Sequence, residues 1–298
     1  MIDDIKIELG ISPPIEVRNQ KKGSFIFKGL EFDHRVSNSG YIYYFSKVNN
    51  LRLKILGERL IIENSWHKFR MGNNWSDFHL SEVVETYQLL NEQFNGELSR
   101  GRVKKISYGA VLNVDPLKNY PYWEYYKTKK PFPMYCKSGK VYGASFQLSD
   151  FKLKGYDKTF EVRNHSKLEV PENLFRIECE VINMRHLSGR KKDPIFINHP
   201  QDIFTFENIQ SLGNDLTIKH QTIEKKSMIN LEGLTTHQLA ILGIMQNSEI
   251  RDHLRKNHNK TYKNYQRKLK SLRSGRNDLY FESIDEVLRQ KISSLVNG

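Results

Sequence analysis

Two neighbouring stretches carry residue types suited to phosphoryl chemistry. Phe151-Lys152-Leu153-Lys154-Gly155-Tyr156-Asp157-Lys158-Thr159-Phe160-Glu161 sets a phenol among three lysines. Leu174-Phe175-Arg176-Ile177-Glu178-Cys179-Glu180-Val181 sets a guanidinium in line with two carboxylates. Each opens as a strand. In the second, Phe175, Ile177, Cys179 and Val181 alternate with Arg176, Glu178 and Glu180, so apolar and charged sets take opposite faces. In the first, Lys152, Lys154, Tyr156 and Lys158 share a face, and flanking ammonium groups favour the phenolate. If the two strands lie in one sheet, a nucleophile, carboxylates and phosphate-binding cations come together. The plainer reading is a pair of solvated Lys and Glu rows on an antiparallel sheet.

The chain of 298 residues is long enough for one large domain or two ordinary ones, and carries a formal charge of +13 with a pI of about 9.5. That charge favours a polyanionic partner, nucleic acid before membrane. There is no apolar run long enough to span a bilayer, and the acidic start Met1-Ile2-Asp3-Asp4 lacks the apolar core of a signal peptide. Cys136 and Cys179 are too few for a disulfide framework or a cysteine zinc site, and a reducing cytoplasm is expected.

The elements that must position the two stretches read as follows. Ser24–Phe27, residues 41 to 45, Leu51–Leu56 and residues 60 to 63 are strands of an antiparallel meander, with turns at Asn38-Ser39-Gly40, Asn49-Asn50 and Gly57-Glu58. Residues 64 to 75 read as a loop of aromatic, basic, Gly and Asn residues, suited to sugar–phosphate or base stacking, or else an ordinary polar loop. Residues 81 to 95 form a helix whose stripe of Val83, Val84, Tyr87, Leu90 and Phe94 packs on the sheet. A strand over 103 to 114 turns Ser107, Gly109, Val111 and Asn113 to one side. Residues 116 to 137 read as a long loop rich in Tyr, Pro and Lys, and 141 to 148 as a strand.

Beyond Met184 helices dominate, at about 202 to 211, 235 to 247, 249 to 257, 260 to 273 and 283 to 296, with capping boxes at Thr235 and Ser283. Three short helices followed by Gly275 resemble a helix-turn-helix unit. Arg251 to Arg276 holds ten Lys or Arg and one acid. With Leu254, His258, Tyr262, Tyr265, Leu269 and Leu272 as its buried stripe, the segment exposes its cations, among them Lys263, Arg267 and Lys270, to DNA or simply to solvent. The expected architecture is α+β: an antiparallel sheet core with packed helices over 1 to 190, then a helical, basic DNA-binding region over 191 to 298.

In the order and spacing of these motifs, from about Tyr41 to Leu187, the chain resembles the rolling-circle replication initiators of single-stranded DNA phages. The likeness is greatest to the filamentous-phage initiator group and less to related plasmid initiators. Trp66-His67-Lys68-Phe69…Gly72-Asn73-Asn74 looks like the family's basic Gly-Asn loop. Tyr156-Asp157-Lys158-Thr159-Phe160-Glu161 matches its Tyr-x-Lys-x-x-Glu motif, whose Tyr cleaves DNA. Phe175-Arg176-Ile177-Glu178 matches the Arg-x-Glu strand that follows. The family's acid on the middle strand is replaced here, with Asn113 the best candidate, Ser107 a poorer one, and Glu180 able to restore the charge. No His-x-His pair is present, so the implied metal site is made of oxygens, suiting Mg²⁺ or Mn²⁺.

The resemblance implies a replication initiator with a nuclease-like fold that nicks one strand of an origin, single-stranded or supercoiled. Tyr156 is then the nucleophile, left joined to the 5′ phosphate, and the freed 3′ hydroxyl primes synthesis. Lys158 and Arg176 serve catalysis, while Glu161, Glu178 and Asn113 hold the metal. His67, Lys68, Asn73, Asn74 and Lys154 bind DNA together with Lys263, Arg267 and Lys270. Implied partners are a host helicase, polymerase and single-strand-binding protein, in the cytoplasm (the host's, if the gene belongs to a phage). No phosphate-cradling Gly-Lys-Ser/Thr loop is present, so no nucleotide cofactor is expected. The alternatives are a non-catalytic, repressor-like DNA-binding protein using the C-terminal helices, an RNA-binding or structural protein using the aromatic loop, and a conjugative relaxase, which the lack of histidine ligands disfavours.

Overall fold

The computed structural model describes residues 1–166, 168–189, 193–226, 233–274 and 279–298, with the backbone alone at 248, 273, 274 and 279–283. In chain order the elements are β1 (Ile2–Gly10), α1 (Ile15–Arg18), β2 (Ser24–Phe27), β3 (Leu30–Val36), β4 (Ile42–Val48), β5 (Leu51–Leu56) and β6 (Arg59–Ser65). There follow α2 (Trp66–Met71), α3 (Leu80–Gln93), β7 (Arg102–Asn113), β8 (Trp123–Tyr126), β9 (Phe132–Tyr135), β10 (Val141–Gln147), β11 (Phe151–Asp157), α4 (Lys158–His165), β12 (Leu174–Val181) and α5 (Arg185–Ser188). The chain ends in α6 (Phe206–Gln221), β13 (Ile223–Lys225), α7 (Thr236–Gln246), α8 (Ser248–Asn257), α9 (Asn259–Ser274) and α10 (Leu279–Asn297).

The expected α+β class is observed. Eleven antiparallel strands form one open sheet in the order β2-β3-β4-β5-β6-β1-β7-β12-β11-β10-β9. A meander of short hairpins builds one flank. β1, from the very start of the chain, closes the gap between β6 and β7. Sequence reasoning passed over β1 and β3. Ile2, Ile5, Ile7 and Leu9 of β1 are nevertheless all buried, which is the signature of a central strand rather than a terminal arm.

Four other segments differ from expectation. Residues 64 to 75 are not one loop: Ser65 accepts a hydrogen bond from the Lys68 N–H and caps the short helix α2, whose end at Gly72 takes a left-handed φ of 71°. Residues 116 to 137 contain β8 and β9, and Tyr120, Tyr125 and Tyr126 are buried rather than mobile. α6 runs ten residues further than the helix expected to stop at 211. The helix expected from 283 already starts at Leu279, so residue 283 lies inside it; Gly275 and Arg276 lie outside the described residues.

One apolar core gathers residues from the sheet, α3, α6 and α10, including Leu212, Leu216, Leu288 and Ile292. It therefore runs across the boundary expected at residue 190. Ile241, Met245 and Tyr262 of α7 and α9 form a small core of their own, with Leu254, Tyr265 and Leu269 against it; His258, expected in that stripe, is exposed. Among the described residues no helix is long and apolar enough to cross a membrane.

A buried polar contact fastens α6 to α10. His220, fully buried, lies 2.5 Å through Nδ1 from Asp285 Oδ1. Burial pushes the imidazole pKa down, with the Lys225 charge acting in the same direction and Asp285 opposing. The neutral ring donating to the carboxylate is therefore the resting state near pH 7. The unfolded chain, with its histidines near ~6.5, binds more protons than the folded one as pH falls below that value. The contribution of His220 to stability should be full above about pH 6.5 and fall on acidification toward the lower folded pKa. The thermal midpoint is expected to drop between pH 7 and 5. His220→Asn, which keeps a donor and cannot titrate, should lessen that slope and leave the part carried by the buried His67; an unchanged slope would place the acid sensitivity elsewhere.

Candidate active site

The strands bearing the two opening stretches are neighbours. β11 pairs with β12 so that Tyr156 faces Arg176, Lys154 faces Glu178 and Lys152 faces Glu180. β12 pairs on its other side with β7, setting Gly109 opposite Glu178 and Val111 opposite Arg176. The charged rows expected from the alternation are thus on one face of one sheet. Close approach needs glycine at two points. A Cβ on Gly143 would collide with Cβ of Tyr156, and one on Gly109 with the carbonyl oxygen of Ile177.

At the centre lies Arg176, 3% exposed. Its Nε donates to Glu178 Oε2 at 3.1 Å, its Nη2 to Asp3 Oδ2 at 2.6 Å, and its Nη1 to the Asn74 carbonyl at 2.7 Å. Asp3 Oδ1 accepts from the Ser65 hydroxyl. Glu178 Oε1 accepts from Lys154 Nζ at 2.8 Å, and the Tyr156 hydroxyl stands 3.4 Å from Glu178 Oε2. Lys154 also meets Glu180 at 2.9 Å, and Lys105 bridges Glu180 and Asp4 at 2.5 and 3.5 Å.

Asp3 is a member of this cluster that sequence reasoning missed. β1 carries it to the site from outside the motif region. The available signal was Met1-Ile2-Asp3-Asp4-Ile5-Lys6-Ile7, whose apolar alternation from Ile5 onward reads as a strand.

Lys158 does not lie on the β11 face. The strand stops at Asp157, whose side chain accepts from the Phe160 N–H and caps α4. The turn into the helix drives Lys158 inward to full burial, where Nζ donates to Asn74 Oδ1 at 2.8 Å and Glu161 Oε2 at 2.6 Å. Glu161 is one helical turn on, within reach because of the i,i+3 spacing.

The electrostatics correct one expectation. Burial raises the Tyr156 phenol well above its usual pKa; Arg176 opposes this, while Glu178, Glu161 and Asp3 add to it. Three nearby lysines do not make a phenolate, because Lys154 and Lys158 are each neutralised by carboxylates. Burial also works against the charged form of Glu178, but Lys154 and Arg176 more than offset it and hold the carboxyl below its usual range. Asp3 follows the same pattern through Arg176. Lys158 is pushed down to about 8 by burial first and by Arg176 second, against the pull of Glu161.

The expected metal ligands are not brought together. Asn113 is exposed and opposite Leu174, four residues along β7 from the level of Glu178, or roughly 13 Å at strand rise. Ser107 is opposite Glu180, buried and two steps the other way. Glu161 is held by Lys158. Both oxygens of Glu178 and both of Asp3 already accept hydrogen bonds from cations or hydroxyls. No group of three or more His, Cys, Asp or Glu placed to hold a metal occurs among the described residues. As paired here, these donors do not fit a divalent ion.

The expected DNA contacts divide. His67 is 5% exposed, stacked on Phe78 at 4.8 Å with Nε2 3.3 Å from Ser76 Oγ; burial drives its pKa down to about 3, so it is neutral and turned inward. Asn73 spends Oδ1 on the Trp75 and Ser76 N–H groups, fixing the turn after α2. Asn74 grips both Arg176 and Lys158 and belongs to the cluster. Lys154 is held by its two glutamates. Lys68, Lys263, Arg267 and Lys270 are exposed, the last three far along the chain on α9.

Compared with models of known protein families, and with curated proteins, the chain matches none.

Removing Arg176 would leave Asp3 and Glu178 as buried carboxylates without their shared partner. Arg176→Met is expected to cost about 3–5 kcal/mol, the range for breaking a buried ion pair. Lys68→Ala, at an exposed site, should stay within about 0.5 kcal/mol. Urea unfolding of both checks this, and equal losses would mean that Arg176 adds nothing as a clamp.

Proposed function

We propose that the protein is a DNA-nicking enzyme of the replication-initiator kind, with Tyr156 as its nucleophile. The observation that supports this most is the gathering of Tyr156, Lys154, Arg176 and Glu178 on one sheet face, with Lys158 and Asn74 closing over them. These are the groups an in-line attack on a phosphodiester requires: a hydroxyl, an acceptor for its proton, and cations for the phosphate charge. The charge of +13 supports a nucleic-acid substrate.

In this reading a scissile phosphate takes Lys154, Arg176 or Lys158 as partners in place of their carboxylates. Glu178, released from Lys154, loses the largest of the charges that depress its pKa and becomes the better proton acceptor. The Tyr156 oxygen bonds to phosphorus as the bond to the 3′ oxygen breaks. The phenolic proton passes to Glu178, the 3′ oxygen takes one from solvent, and the 5′ phosphate stays on Tyr156. Tyr156 is 7% exposed, so the strand must shift the side chains over it. Tyr142, with its ring centre 6.1 Å from that of Tyr156, is one of these.

Tyr156→Phe is expected to abolish a covalent adduct with single-stranded DNA while costing only about 1 kcal/mol of stability, the worth of one hydrogen bond. A denaturing gel and mass spectrometry of the trapped peptide decide it. An adduct on Tyr120, Tyr122, Tyr125 or Tyr126, or none with the unaltered protein, would sink the assignment; in the second case a non-catalytic DNA-binding role takes its place.

Lys158 adds a pH test. With a pKa of about 8 in the free protein, its ammonium form thins out above that pH. The adduct rate at limiting DNA should fall as pH rises past about 8, since such profiles report free-enzyme pKa values. Lys158→Arg, charged throughout, should move that limb to higher pH. A limb that stays in place would assign it to another group.

A further inference from the structure

Between α9 and the segment joining α6 to β13 lies a cleft of about 670 Å³. Its size is within the roughly 300–1,000 Å³ of ligand pockets, and it does not include Tyr156 or Arg176. Lys263, Arg267 and Lys270 line one wall. Their i, i+4, i+7 spacing puts them on one face of α9. All three are exposed and make no ion pair among the described residues. Lys225 and Lys226 stand on the other wall, and Ile223, Met245 and Leu269 supply apolar surface. Two acids also reach the cleft, but each is already engaged. Glu124 is met by Arg251 at 2.5 Å; Glu224 is met by Arg255 at 2.7 and 3.0 Å and by the Tyr262 hydroxyl at 3.2 Å.

We propose that this cleft holds a single strand of DNA, its phosphates along Lys263, Arg267 and Lys270 and a base against the apolar surface. This rests on the DNA-binding part of the proposed function and not on the nicking step. Three cations spaced over seven helical residues span about 10.5 Å, close to three steps of a stacked strand at ~3.4 Å each. Proteins that hold single strands without reading their sequence use a positively charged groove that tracks the backbone, commonly with aromatic stacking platforms; here the groove is basic and its inner surface is aliphatic, from Ile223, Met245 and Leu269. A duplex is read instead by a protruding element that enters its groove, and here the cations line a recess. With the acids of the recess tied to arginines, the field in it is set chiefly by Lys263, Arg267 and Lys270.

The test compares the unaltered chain with Lys263→Ala/Arg267→Ala/Lys270→Ala, using a labelled oligothymidylate and a duplex of equal length over a range of salt. The exposed positions leave folding intact, which circular dichroism checks. Loss of three contacts should lower the salt slope for the single strand by about two units and weaken binding about ten-fold or more at moderate salt. The duplex should be affected less. Tyr156→Phe should leave the slope unchanged, so a failure of the nicking assignment remains distinct from a failure here. An unchanged single-strand slope in the triple variant overturns the proposal, as does a loss confined to the duplex.

Discussion

The guanidinium of Arg176 is the interaction on which the rest of this structure depends. It is buried in the middle of an eleven-stranded sheet, where an unpaired charge would be prohibitive. Its three partners come from three places in the chain: Asp3 on β1, Glu178 two residues away on β12, and the Asn74 carbonyl after α2. A single planar fork thereby ties the start of the chain, the loop before α3 and the central strand. Lysine, with one point charge, could not hold all three in fixed directions.

The neighbouring pairs follow from that demand. Each carboxylate drawn in to satisfy a cation needs a further cation to balance it, and the series runs outward from Asp3, Arg176 and Glu178 to Lys154, Glu180, Lys105 and Asp4. Lys158 and Glu161 form a separate branch joined through Asn74. Burial makes each member dependent on the next, because the low dielectric that strengthens a made pair also penalises a broken one. The opposite face of β12 packs apolar side chains and Cys179 against the core, which leaves the polar row no alternative but to satisfy itself.

Much of this was legible in the sequence, for a physical reason. Period-two alternation in residues 174 to 181 and the basic row of 152 to 156 fix which side chains share a face once strand identity is known. What did not follow was anything that depends on where a strand stops. Lys158 reads as the next member of the row, yet the Asp157 side chain caps a helix there and sends it inside. The phenolate expected for Tyr156 failed for a related reason: spacing shows which cations are near but not which carboxylates have already taken them. Asn113 has the right face and the wrong level, a distinction that only register decides. Asp3 was missed because β1 pairs with partners about sixty and a hundred residues away, and no local pattern reports a non-local pairing.

The resting arrangement has a bearing on how such a site would work. Asp3, Glu178 and Glu161 balance Arg176, Lys154 and Lys158, so the centre is close to neutral, and the phenol is held in its neutral form. A phosphodiester brings one negative charge into this balance. It gains most where an ammonium can exchange a carboxylate for a phosphate oxygen without losing its hydrogen bonds. Lys154 is the better candidate for that exchange than Arg176, because it is the more exposed of the two (side-chain exposure 17% against 4%) and keeps Glu180 as a second partner. Arg176, fixed on three sides, stays as the frame. The exchange at Lys154 releases Oε1 of Glu178, while Oε2, 3.4 Å from the Tyr156 hydroxyl, keeps its hydrogen bond from Arg176 Nε. The proton acceptor would thus be made more basic by the same contact that places the phosphate, and the nucleophile would remain protonated until a substrate is in position.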